Sequence, residues 1–207
     1  MIIAEQKRKE NIAEYLLYMH QVEDMIRANK LDLDSIEATL ISKFEVPYEV
    51  KREMREWYKT LITMMREEQK EVSGHINILE TTAVQLSEMH HQLLNQGIDN
   101  SYKETYGKAK AHIEALRMRS GHSKESDIQV ALNGLYGLLI LKLKKTLITE
   151  ETTAAFETIR ELVAELSSRY METGWSSARA IPGIPARTSR RTSHRPPGRP
   201  AIRASRR

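Results

Sequence analysis

Glu88-Met-His-His91 is the stretch whose residue types and spacing come closest to chemistry. Glu88 and His91 are three apart, so on a helix they share one face, the spacing helical-bundle di-iron sites use. Such a site also needs a second Glu-x-x-His. The residues three before His20, His75, His112 and His122 are Leu17, Val72, Ala109 and Arg119, so none supplies it. A single ion held by His75, Glu88 and His91 meets a distance problem. On one continuous helix His75 and His91 would lie about 24 Å apart. Glu88 and His91 are therefore the metal-ligand candidates. The plainer expectation puts His90 half-buried on the apolar stripe, with Glu88 and His91 at its solvent edge.

His20 stands three residues before Glu23 and four before Asp24. A carboxylate at that spacing could orient a histidine as a base, although such pairs are commonly surface contacts worth a few tenths of a kcal/mol. No strand-to-helix turn exists to present a nucleophilic serine, and neither GxxxxGK[ST] nor GxGxxG occurs to cradle a phosphate. With no cysteine, disulfides, zinc-thiolate sites and thiol catalysis are excluded. No catalytic residue and no cofactor is predicted. Met19, Met54, Met64 and Met65 could form an adaptable groove, but they fall at helical core spacing and read first as packing. Glu67, Glu68, Lys70 and Glu71 read as a solvated helix end.

The elements that would carry these residues are all helical, since apolar positions recur at 3.5–3.6 residues throughout. A first helix carries Ile12, Tyr15, Met19, Val22 and Ile26. A short second one opens on an Asp34/Glu37 capping box and turns Ile36, Leu40 and Ile41 inward. A third begins at Pro47, runs through Val50, Met54, Trp57, Leu61 and Met64, and ends at Ser73-Gly74. The fourth, with Ile76, Leu79, Ala83, Leu86, His90 and Leu93, stops near Gly97. The fifth opens on a Ser101/Glu104 capping box, with Tyr102, Tyr106, Ala109, Ile113 and Leu116 inside. The sixth, about Lys124 to Thr146, is apolar nearly all round between Leu135 and Leu143, which predicts central burial. Gly134 and Gly137 would let a neighbour approach it. The seventh follows Thr149 and buries Phe156, Ile159, Val163, Leu166 and Tyr170. The expected fold is all-α: an antiparallel bundle of six long helices and one short one, in a single domain over residues 1–172.

Met1-Ile-Ile-Ala-Glu-Gln-Lys-Arg-Lys-Glu-Asn-Ile-Ala-Glu-Tyr-Leu-Leu-Tyr-Met19, followed by Gln21-Val-Glu-Asp-Met-Ile-Arg-Ala-Asn29, resembles a family of short bacterial proteins, domain-of-unknown-function family 4924. Glu56-Trp-Tyr58, Gly74-His75 and Leu135-Tyr-Gly-Leu-Leu139 extend the resemblance over roughly residues 1–170. It implies a bacterial, intracellular, all-helical protein and brings no activity or catalytic residue with it.

Residues 173–207 depart from that pattern. After Glu172 there is no acidic residue but nine arginines and five prolines, and no lysine, against fourteen lysines before it. The chain carries 32 Lys+Arg and 28 Asp+Glu, a net +4. Without the nine arginines, 23 basic groups face those 28 acidic ones. The tail cannot repay its ordering entropy and is expected to be disordered. Its composition is what GC-rich DNA gives when read in an unintended frame, so it is read first as a frame-shifted extension. An inert native tail comes second and a phosphate-binding arm last, and nucleic acid is not expected as a partner. The charged N-terminus leaves no apolar core for a secretory signal, and no apolar run approaches the ~20 residues of a membrane helix, so the expected location is cytoplasmic. The leading functional expectation is a non-enzymatic module acting through a protein partner or as a homo-oligomer. Metal binding at Glu88/His91 and nucleic-acid binding by the tail are the alternatives.

Overall fold

The computed structural model describes residues 2–95, 100–121 and 124–172. Among these residues the chain forms eight α-helices and no strand. They are α1 (Ile2–Glu10), α2 (Ile12–Ala28), α3 (Leu33–Thr39), α4 (Tyr48–Glu67), α5 (Asn77–Asn95), α6 (Asn100–Ser120), α7 (Asp127–Leu143) and α8 (Glu150–Glu172), with a 3₁₀ turn at Ile41–Lys43. The tail after residue 172, His122 and the expected helix stop at Gly97 lie outside the described residues.

The stripes read from the sequence are the buried faces. Ile12, Tyr15, Met19, Val22 and Ile26 of α2 are buried, as are Phe156, Ile159, Val163, Leu166 and Tyr170 of α8. Met19 and Met54 are core, as their spacing implies; on α4 the fully buried place goes to Met65, while Met64, which the stripe turned inward, is half-buried against the core. α7 packs against α2, α5, α6 and α8, while α8 packs against α2, α5, α6 and α7. These five helices form the centre. α1 lies on α2, and α3, the 3₁₀ turn and α4 form a flank that reaches the centre through α2. No helix among the described residues is long and apolar enough to cross a membrane.

The differences from the sequence reading lie mostly at helix ends. The first helix is two. Asn11 leaves helical geometry at φ −156° and ψ 111°, and its side chain accepts the Glu14 N–H at 3.0 Å, so α2 starts afresh with its own N-cap. The cap of α3 is Asp32, which accepts the Ser35 N–H at 2.6 Å. Asp34 and Glu37 are released from capping and instead both hold Arg55 of α4, at 2.9 and 2.8 Å. Pro47 is the N-cap of α4 rather than its first turn. Ser101 lies within α6, which is already helical at Asn100. The cap of α7 is a Ser126/Gln129 capping box.

Three helices stop without glycine. α2, α4 and α7 each end in a Schellman turn, where the two N–H groups beyond the helix reach back to its last carbonyls. In α4, Gln69 N–H bonds Arg66 O at 3.1 Å and Lys70 N–H bonds Met65 O at 2.7 Å. The first residue past each cap, Lys30, Gln69 and Lys145, is left-handed at φ +54 to +57°, and after α2 Leu31 is left-handed as well. α4 therefore ends at Glu67, well short of Ser73-Gly74.

Gly134 and Gly137 also part company. A Cβ at Gly134 would stand 2.7 Å from Leu116 Cδ1 and 3.3 Å from Phe156 Cε1, which is the close approach its sequence suggests. A Cβ at Gly137 would meet nothing within 4 Å. α7 is central only along its first turns: Leu135 and Leu138 are buried, whereas Leu141 and Leu143 are exposed.

Candidate functional site

His20, Glu23, Asp24 and Arg27 share one face of α2, and the fold brings two distant residues onto it. His75 comes from the connection between α4 and α5, and Tyr136 from α7. Stopping α4 at Glu67 frees residues 68–76 to fold back over α2. His75 thus precedes α5, and no continuous helix joins it to His91.

Glu23 is fully buried, at 0 % exposure. Its Oε2 lies 2.5 Å from His75 Nδ1 and its Oε1 accepts the Ile76 N–H at 2.9 Å. Both carboxylate oxygens are used, and the charge sits at the positive N-terminal end of α5. Arg27 works beside it, donating to the carbonyls of Lys70 and Gly74 and to Asp24 Oδ1 at 2.9 Å. Lys70 reaches Glu80 at 2.6 Å, and Glu68 accepts the Asn77 N–H at 2.5 Å. The charged run 67–71 therefore supplies two residues that fasten the connection onto α5.

His20 is 5 % exposed. Its ring stacks on His75 with centroids 3.6 Å apart and planes 13° apart, and meets Tyr136 edge-on. Its Nδ1 has no hydrogen-bond partner. Burial, reinforced by His75 and Arg27 and opposed by Asp24, lowers its pKa from 6.5 to about 3, so it is neutral. The Tyr136 hydroxyl donates to Asp24 Oδ2 at 2.5 Å. Desolvation first, and then that bond, raise its pKa. The expectation that His20, Glu23 and Asp24 make only surface pairs fails for His20 and Glu23, because the folded-back connection covers them. Glu23 holds His75 as a carboxylate orients a general base. Two imidazoles stacked face to face present their nitrogens in nearly parallel planes, so they cannot converge on one ion.

A second polar cluster surrounds His90, which is buried at 1 % exposure, deeper than the half-buried position its stripe suggested. Its Nδ1 lies 2.7 Å from the hydroxyl of fully buried Tyr102, and burial lowers its pKa to about 4. Tyr106 packs edge-on against it and donates to Asp127 Oδ2 at 2.6 Å. Arg117 joins Asp127 to Glu114 and to the Glu125 carbonyl. Glu88 and His91 sit on the exposed side of α5. Among the described residues no group of three or more His, Asp or Glu is placed to hold a metal ion.

The third feature is apolar and open. Leu141, Leu143 and Leu147, around the turn from α7 to α8, are 41, 57 and 99 % exposed. Lys142, Lys144, Lys145, Glu150 and Glu151 beside them are exposed as well. The apolar run 135–141, resumed at Leu143, is the signal in the sequence; that its end would stay uncovered depends on where α7 outruns its neighbours.

The family model described as a domain of unknown function (DUF4924) matches residues 1–175. Neither the comparison with curated proteins nor that with solved structures yields a match. The chain belongs to that family.

Proposed function

We propose that this member of the DUF4924 family is a non-catalytic helical module that acts by docking a protein through the turn between α7 and α8. The observation behind this reading is the exposure of Leu141, Leu143 and Leu147 in one short stretch. Single exposed apolar residues are ordinary, whereas three large ones within seven residues, flanked by lysines and glutamates, are the kind of exposure that goes with an interaction surface. The two histidine clusters fit the same view, since their carboxylates and hydroxyls are engaged in holding helices together. The reading includes a bacterial cytoplasmic home, supported by the resemblance that introduced the family.

The test is affinity capture from the protein's own cells with the full chain and with a Leu143→Asp/Leu147→Asp variant. The variant should fold as well and lose the captured protein. Identical capture by both would remove the proposal. Two competing roles make different predictions. A metal site at Glu88 and His91 needs further donors, and a raised melting temperature in zinc or iron would favour it. Nucleic-acid binding that disappears when residues 175–207 are deleted would favour the arginine-rich tail.

A further inference from the structure

We infer that the protein docked at this turn is a second copy of the same chain, in a two-fold pair. The inference rests on the docking reading above and adds the identity of the partner. Its first support is the order of charges. Lys142, Lys144 and Lys145 precede Leu147, and Glu150 and Glu151 follow it. From Ile128 to Thr149 there is no acidic residue at all. Among the described residues no ion pair within the chain joins those lysines to those glutamates. A two-fold axis near Leu147 reverses this order in the partner, so the basic end of each copy faces the acidic end of the other. That is the self-complementarity an isologous interface requires. Leu147, between the two charged ends, meets its own counterpart at the axis.

The second support is open space on the same segment. Gly137 is exposed with nothing within 4 Å of its Cβ position, and Leu141 lies one helical turn further along the same face. A partner helix can approach the backbone there and still bury Leu141. The third is rigidity. Thr146 N–H bonds Leu141 O and Lys145 N–H bonds Lys142 O, both at 3.0 Å, and Thr149 Oγ1 accepts the Thr152 N–H at 3.2 Å. The turn is closed at both helix ends, so little ordering is lost when it docks. An anionic membrane surface would attract the three lysines but repel Glu150 and Glu151 beside them, which favours a protein surface bearing both signs.

Sedimentation equilibrium on the full chain tests this. The native chain should form a dimer, and Leu143→Asp/Leu147→Asp should be monomeric with unchanged helix content. Lys144→Glu/Lys145→Glu alone, and Glu150→Lys/Glu151→Lys alone, should each weaken self-association about tenfold or more, because like charges then face each other. Mixed together, these two variants should form a heterodimer nearly as tight as the native pair, since opposite charges meet at both ends again. A strictly monomeric native chain overturns the inference. If the leucine variant of that monomer still loses a captured protein, the docking reading survives with another partner. A dimer indifferent to the leucine and charge variants also overturns it, as does a monomer that binds phosphatidylserine vesicles through these leucines. Failure of the charge-swapped variants to pair would eliminate the two-fold arrangement.

Discussion

Replacing His20 with phenylalanine should leave the bundle folded at neutral pH and remove part of its sensitivity to acid. In the folded chain His20 is almost wholly buried against His75 and Tyr136, and its pKa lies near 3. In the unfolded chain it protonates near pH 6.5. As pH falls below 6.5, the unfolded state gains a proton that the folded state refuses, so stability is lost until the folded pKa is reached. The slope is about 1.4 kcal/mol per pH unit, and between pH 7 and pH 5 this group alone removes about 2 kcal/mol. Phenylalanine keeps a flat ring over His75 and eliminates Nδ1, which has no partner to lose. Its stability at pH 7 should lie within about 1.5 kcal/mol of the native chain, as for other shape-conserving core changes. Urea unfolding followed by circular dichroism at pH 7 and pH 5 measures both quantities. The native chain should lose about 2 kcal/mol more than the variant over that interval. Equal losses would mean that His20 titrates as freely in the folded state as in the unfolded one, and the argument from burial would be wrong.

Glu23→Ala should destabilise by about 3–5 kcal/mol in the same urea assay, because it strands the Ile76 N–H and His75. Glu23→Gln, which keeps an acceptor for Ile76, should cost about 1–2 kcal/mol; equal losses would show that the carboxylate pairing is irrelevant. The two glycines of α7 should respond differently to alanine. Gly137→Ala fills open space and gains helix propensity of about 1 kcal/mol. Gly134→Ala meets Leu116 and Phe156 and should fall short of that gain by about 1–3 kcal/mol; thermal melts that rank them alike would contradict the packing of α6 and α8 on α7. Gln69→Gly relieves a left-handed residue of about 1–2 kcal/mol of backbone cost, against about 0.5–1 kcal/mol of glycine entropy. It should therefore raise the melting temperature slightly, and a lower one would mean that the Gln69 side chain contributes something the backbone does not.

What could be read in the sequence and what could not divide along one physical line. Helical stripes are local: Ile12, Tyr15, Met19, Val22 and Ile26 announce a buried face because spacing on a helix is fixed by its geometry. A helix made of nothing but such spacing is legible before any neighbour is placed. Helix ends are less so. Asn11 ends a run of seven polar residues with neither glycine nor proline to mark the break, and Gln69 ends α4 in a conformation usually given to glycine, so both escape a search for the usual stop residues. Asp34 and Glu37 have capping-box spacing but bond Arg55, since Asp32 takes the cap and Arg55 offers one donor to each carboxylate.

The polar cluster on α2 lay beyond the reach of sequence for a related reason. His20 and Glu23 look like surface neighbours on an isolated helix, and they would be if α4 ran on to Gly74. Because it stops at Glu67, residues 68–76 fold over α2, and His75 arrives at a carboxylate 52 positions away. One early helix stop thus turns an ordinary i, i+3 spacing into a buried carboxylate and a neutral, unpaired histidine. At α7 the end lies the other way: the helix carries Leu141 and Leu143 past its cover before its own Schellman turn at Lys145. The two features that invite experiment, an over-buried polar face on α2 and an under-buried apolar one on α7, therefore both trace to where a helix ends. No window of local sequence reports that position unless the left-handed residue happens to be glycine.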